Sequence, residues 1–116
     1  MGENLHTVYE HKLAFDIGNV AEIIPDCSNV CGITGFVGVA NLAKERNLKV
    51  NSHGMQELHV NVLGGLSNAG LVEYHSFPIY EYVNEPLEIT NGTLVPTKLD
   101  GIGLSFNMEK INRLKM

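Results

Sequence analysis

Leu48-Lys49-Val50-Asn51-Ser52-His53 is a short apolar run that ends in a histidine. Gly54 follows it, and then the amphipathic run from Met55 to Leu66. This is the order of a β-strand that carries a reactive side chain to its C-terminal tip and hands the chain on to a helix. Two other stretches share the layout: Ala21-Glu22-Ile23-Ile24-Pro25 ends in Asp26, and Gly70-Leu71-Val72 ends in Glu73. Three ionisable residues at three consecutive strand tips predict an α/β arrangement of barrel type, in which the loops after the strands build the active site.

The flanking segments fit the same alternation. Thr7 and Glu10 predict a capping box at the start of a helix over residues 5–17, each side chain satisfying a free backbone N–H of the first turn. Leu5, Tyr9 and Leu13, with Val8 beside them, fall on its apolar face, and Gly18 is placed to end it as a left-handed cap. Residues 20–25 form a nearly continuous apolar run broken by Glu22, as expected of a parallel strand covered on both faces. A helix over 34–47 buries Phe36, Val39, Ala40 and Ala43 and leaves Lys44, Glu45 and Arg46 in water. Strands are expected over 48–51 and 71–75, with the Met55 to Leu66 helix and a turn at 67–70 between them. Met55, Leu58, Val62, Leu63 and Leu66 repeat at helical spacing in that helix, whose last turn Gly64-Gly65 weakens by up to about 1 kcal/mol per glycine relative to alanine. Each strand–helix–strand step favours a right-handed parallel crossover.

After Pro78 the pattern changes. Pro86 and Pro96 punctuate short extended pieces, and Asn91-Gly92 predicts a hairpin turn between Leu87-Glu88-Ile89 and Leu94-Val95. Residues 99–103 read as loop and 108–114 as a short terminal helix. The expected organisation is a partial barrel domain over residues 1–77 and an irregular C-terminal extension over 78–116. A complete eight-fold barrel needs about 200–250 residues or more. The 116 residues therefore make a small open α/β sheet or the last part of a larger barrel.

Composition narrows the class. The chain is 44% hydrophobic and 18% charged, which is globular rather than disordered. A formal net charge of −5 without a basic cluster argues against nucleic acid and anionic membranes as partners. No apolar run approaches the ~20 residues that span a bilayer, and the N-terminus lacks the basic and apolar regions of a secretory signal. A cytoplasmic location is expected. Cys27 and Cys31 are the only cysteines; without a second ligand pair they read as small buried side chains.

The motifs together resemble the C-terminal part of the mandelate racemase subgroup of the enolase superfamily. The resemblance runs from Gly2-Glu3-Asn4 through Ile23, Pro25-Asp26, Gly32-Ile33-Thr34-Gly35, Ser52-His53 and Val72-Glu73 to Glu85-Pro86-Leu87-Glu88 and Gly101-Ile102-Gly103. Each motif alone is weak, but their order and spacing are specific: Glu3 to Asp26 is 23 positions, Asp26 to His53 is 27 and His53 to Glu73 is 20. The resemblance implies the C-terminal portion of a TIM-type (β/α) barrel, strands six to eight with their helices. It also implies roles. Glu3 would be one carboxylate ligand of a magnesium ion, and His53 the general base. Asp26 would orient His53, and Glu73 would lie near the substrate carboxylate or the oxygens of the intermediate.

Those residue types suit the implied chemistry. Removing a proton beside a carboxylate creates an enediolate, whose charge a metal neutralises as a Lewis acid. A histidine is poised near neutral pH to take the proton. Use of a Lys or His base with magnesium is the general pattern of enolase-superfamily sites. The implied substrate is a small carboxylate, most simply a sugar acid dehydrated to a 2-keto-3-deoxy acid; racemisation and cycloisomerisation share the first step. One carboxylate does not hold magnesium firmly, because hard cations want several oxygens. The isolated chain is therefore expected to bind the ion weakly or not at all and to be inactive. It would assemble as a homo-oligomer or be complemented by an N-terminal part. The alternatives are a non-enzymatic piece with exposed strand edges that self-associates and a complete small α/β binding domain. His59 reads as packing or solvated, His75 as a residue leaving its strand on the same side as Glu73, and His6 and His11 as surface.

Overall fold

The structure, a computed structural model, describes residues 1–76 and 78–114. Among these residues the elements follow in the order α1 (Val8–Ile17), α2 (Gly32–Glu45), β1 (Val50–Ser52), α3 (Gln56–Gly64), β2 (Ala69–Val72), a 3-10 turn at Pro78–Tyr82, the hairpin strands β3 (Ile89–Thr90) and β4 (Thr93–Leu94), and α4 (Met108–Asn112). The boundary expected between residues 77 and 78 falls on a residue outside those described, as do residues 115 and 116 of the expected extension.

β1 and β2 pair in parallel, with Val50 opposite Ala69 and Ser52 opposite Val72. On the other side of β1 the stretch expected as a strand over 20–25 is held by one parallel bridge, Ile23 to Val50, and is not a full strand. Pro25 has no N–H to give a ladder. The carbonyls of that stretch still bond onward, to Asn51 N–H from Ile23 (2.9 Å) and to His53 N–H from Pro25 (3.2 Å). The first residues extend the row. Ile24 N–H donates to Met1 O at 2.8 Å and the Met1 amine to Glu22 O at 3.3 Å, the pattern of a parallel pair. Segments 1–3, 22–26, 50–53 and 69–73 thus run side by side in chain order, joined through α1, α2 and α3. This is a portion of a (β/α) barrel.

The core forms where the helices cover this sheet. Phe36, Val39, Ala40 and Ala43 of α2 pack with Ile23, Val30, Val50, Leu58 and Leu63, so the expected face of α2 is the buried one. Across the sheet, Asn51 Oδ1 accepts Leu71 N–H at 2.8 Å and its amide lies 3.5 Å from Glu22 Oε2, on the side away from that core. The extension is clamped to α3 by Asn61. Its Oδ1 accepts Thr97 N–H at 2.9 Å and its Nδ2 donates to Glu57 O at 2.8 Å. Asn91 and Gly92 both have positive φ (51° and 74°), the hairpin turn expected there. Among the described residues no helix is long and apolar enough to cross a membrane.

Several expectations are corrected. The capping box of Thr7 and Glu10 is present, but α1 begins at Val8 and turns a different face inward. Tyr9 and Leu13 are exposed (83% and 57%), while Phe15 and His11 are buried. His11 is not a surface residue. Its Nδ1 meets Thr7 O one turn back at 2.9 Å, which lets the ring sit inside. Phe15 lies under the Arg46 guanidinium, 5.0 Å from the ring centroid, so Arg46 is less solvated than expected; it also pairs with Asp16 at 2.8 Å. Gly18 is extended, not left-handed (φ −108°). α2 starts two residues early, because left-handed Cys31 (φ 64°) turns the chain into Gly32. β1 lies within two residues of its expected place, β2 begins two residues early and ends three early, and α3 is shorter at both ends. The extension opens with the 3-10 turn rather than an extended piece. Cys27 is buried as expected, but Cys31 is exposed.

Candidate active site

Parallel strands that end together deliver their next residues to one rim. Asp26 follows the bridged stretch, His53 follows β1 and Glu73 follows β2. The structure brings these three together. Asp26 Oδ2 is 3.0 Å from His53 Nδ1, and His53 Nε2 is 4.0 Å from Glu73 Oε2. Asp26 is 3% exposed, whereas the His53 side chain is 30% exposed and reaches solvent.

Each member is anchored by backbone or neighbour groups. Asp26 Oδ1 accepts both the N–H and the hydroxyl of Ser28 at 2.8 Å, a turn for which Asp-x-Ser is the local signal. Because Asp26 Oδ2 is an acceptor, His53 Nδ1 carries the proton and Nε2 keeps its lone pair. Glu73 Oε2 accepts Gly54 N–H at 2.8 Å. Just beyond Glu73, the Gln56 amide holds the chain by donating to His75 O (3.2 Å) and accepting His75 N–H (3.3 Å). The His75 ring meets that of His53 edge-on with centroids 5.9 Å apart.

Burial pushes the Asp26 carboxyl up, but the hydrogen bonds from His53 and from both Ser28 donors outweigh it and hold the group below its ordinary range. Beside it, burial and the Asp26 charge push the Cys27 thiol up to about 12, so this cysteine is no nucleophile. Burial also raises the Glu57 carboxyl, against the bonds from its own N–H and Gln56, and lowers His59.

Glu3 joins the Asp26 loop through its backbone. Its carbonyl accepts the Asn29 amide at 2.7 Å, which ties it to the Asp26 loop. Its carboxylate lies 3.4 Å from the Asn4 amide.

The family model described as "Enolase C-terminal domain-like" matches residues 1–110. The chain belongs to this family. Among curated relatives it is similar to a 3,6-anhydro-alpha-L-galactonate cycloisomerase from Streptomyces coelicolor, 35% identical over 97% of this chain and 31% of the relative. Among solved structures it is similar to a racemase from Streptomyces coelicolor A3(2) with bound magnesium, with a TM-score of 0.89 and 34% identity over 97% of this chain and 31% of that one. It is also similar to an L-talarate dehydratase from Polaromonas sp. JS666 in complex with magnesium and L-glucarate, with a TM-score of 0.86 and 28% identity, again over 97% of this chain and 31% of that one. The chain thus spans about a third of the length of these enolase-superfamily relatives, which include isomerases and a sugar-acid dehydratase.

Magnesium bound in such neighbours raises the question of fit. Among the described residues no group of three or more His, Cys, Asp or Glu stands together in a way that could hold a metal. Glu3 is a single carboxylate, and magnesium requires near-octahedral oxygen donors. The donors of this chain do not fit the ion as a set.

Sequence reasoning passed over Ser28, Gln56, the Gly54 N–H and the bridge from His59 to Cys27, although it offered packing as one reading of His59. Asp26-Cys27-Ser28 carried a readable turn signal. The other three contacts join segments distant in sequence, and nothing in the local pattern announces them.

Proposed function

We propose that this chain carries the proton-abstracting half of an enolase-superfamily active site that acts on the α-proton of a sugar acid. The observation that carries the reading is the Asp26–His53 pair, on a side chain that reaches solvent, with Nε2 4.0 Å from Glu73. His53 Nε2 takes the proton from the carbon next to the substrate carboxylate, and the electron pair of that C–H bond moves into an enediolate. Asp26 stabilises the imidazolium that forms. Glu73, anchored by Gly54, faces the oxygens of the intermediate. In dehydration the His53 imidazolium gives the abstracted proton to the β-hydroxyl, which leaves as water, and the resulting enol tautomerises to a 2-keto-3-deoxy acid. The dehydratase relative that binds L-glucarate supports this outcome. Cycloisomerisation is the second reading, favoured by the 35% identity to the cycloisomerase. In the whole protein Glu3 is the proposed magnesium donor of this chain, one ligand of a set completed elsewhere.

The test is a chimera in which this chain replaces the corresponding third of the Streptomyces coelicolor relative, folded by circular dichroism, with exchange of the substrate α-proton for deuterium as the readout. The chimera should exchange, and its His53→Asn form should lose about 10²–10⁴-fold. Undiminished exchange in the His53→Asn chimera would overturn the reading.

A further inference from the structure

His59 lies on α3, six residues past His53, wholly buried and stacked on Phe36 with ring centroids 5.2 Å apart. It plays no part in the steps above, yet both of its nitrogens are used. Cys27 N–H donates to Nε2 at 3.1 Å, and Nδ1 is 2.6 Å from Gly54 O. A carbonyl can only accept and an amide N–H can only donate. The ring is therefore neutral, with its proton on Nδ1. A second proton would set Nε2–H against Cys27 N–H.

The two peptides it joins are the ones next to the site. Cys27 follows Asp26, and Gly54 follows His53. Gly54 also gives its N–H to Glu73 Oε2 at 2.8 Å. One ring thereby ties the Asp26 loop to the tip of β1 and, through the same Gly54 residue, to Glu73. We propose that His59 is a positioning residue: as a neutral Nδ1–H imidazole bridging Cys27 N–H and Gly54 C=O, it sets the spacing of Asp26, His53 and Glu73 and so keeps the proton of His53 on Nδ1. This rests on the reading of His53 as the base. The ionisable groups facing the ring fit a neutral state. Asp26 Oδ1 at 4.0 Å favours protonation, whereas burial and the neighbouring His53 disfavour it, and the Cys27 thiol is uncharged.

The experiment is long-range proton–nitrogen spectroscopy of the imidazoles in the full 116-residue chain, wild type and His59→Phe. Phenylalanine keeps the stack on Phe36 and removes both hydrogen bonds. In the wild type, His59 should show the neutral Nδ1–H pattern throughout the folded pH range. In folded His59→Phe, His53 should lose its Nδ1–H preference, and His59→Gln, which still offers an acceptor to Cys27 N–H, should restore part of it. In the chimera described above, His59→Phe should lower kcat at least tenfold with KM little changed. A wild-type His59 that becomes doubly protonated while the chain is folded, or that carries its proton on Nε2, overturns the proposal, as does a folded His59→Phe in which His53 is unchanged. Should His59→Phe fail to fold, a through-hydrogen-bond coupling between the Cys27 amide nitrogen and His59 Nε2 decides the matter in the wild type: its presence supports the bridge and its absence overturns it. Retained exchange in the His53→Asn chimera would refute the base assignment while leaving these spectra unaltered, so the two failures are distinguishable.

Discussion

A histidine acts as a base only on the nitrogen that carries no proton, so the Asp26–His53 contact decides which edge of the ring is active. Asp26→Asn keeps the shape but can offer an amide donor to Nδ1, which moves the proton to Nε2 and would disable the proposed base. In the chimera this variant should lose about 10²–10⁴-fold in α-proton exchange. The same residue makes stability depend on acid. Its folded carboxyl is held below the ordinary value of 3.8, so the unfolded chain binds the proton more readily. The stabilisation is complete above 3.8 and is lost as pH falls through the folded value. The wild-type melting temperature should therefore drop on acidification below 3.8, and Asp26→Asn should drop less; equal slopes in the two proteins would exclude Asp26 as the source. At this scale the three tip residues were legible from strand-end positions and spacing. The burial of His11 was not, because it depends on the Thr7 carbonyl meeting Nδ1 of a polar ring; for His59 the sequence left packing and solvation both open.

Among the elements, α2 was the most legible and α1 the least. Phe36, Val39, Ala40 and Ala43 form one apolar stripe with no rival, so helical periodicity alone selected the buried face. On α1 the Leu5, Tyr9, Leu13 row competes with the one through Val8, His11 and Phe15. The packing of Arg46 over Phe15 and the docking of α1 on α2 favour the second. The start of α2 depends on close approach. A Cβ on Gly35 would lie 1.5 Å from Val30 O, too near for either to yield without moving backbone. Gly35→Ala should cost about 3 kcal/mol or more, read as a shifted urea midpoint. A change below about 0.5 kcal/mol would mean that the turn before α2 yields freely.

For the whole molecule, the proposed magnesium site would need more donors than the described residues bring together. The 116-residue chain is expected to show no α-proton exchange on sugar acids with or without magnesium, and magnesium should leave its melting temperature in place. A ligand that bound the folded state tightly would raise stability by RT ln(1 + [L]/Kd). A rise of several degrees, or turnover that required the ion, would mean that a complete metal site forms within these residues.

Sequence alone determined the alternation of strand stretches and helices and the order and spacing of Glu3, Asp26, His53 and Glu73, because these depend on local periodicity and on which residues end each run; the barrel family came from the resemblance of the motifs. Tertiary structure decided what no local pattern contains: which face of α1 is buried, which nitrogen of His53 is free, what anchors Glu73, and that His59 joins two peptides of the site. The face of α1 rests on packing against α2 and Arg46, and the other three outcomes rest on single hydrogen bonds between segments as much as 32 residues apart. A hydrogen bond of this kind exists only once packing has brought its donor and acceptor within about 3 Å and excluded the water that would otherwise satisfy them.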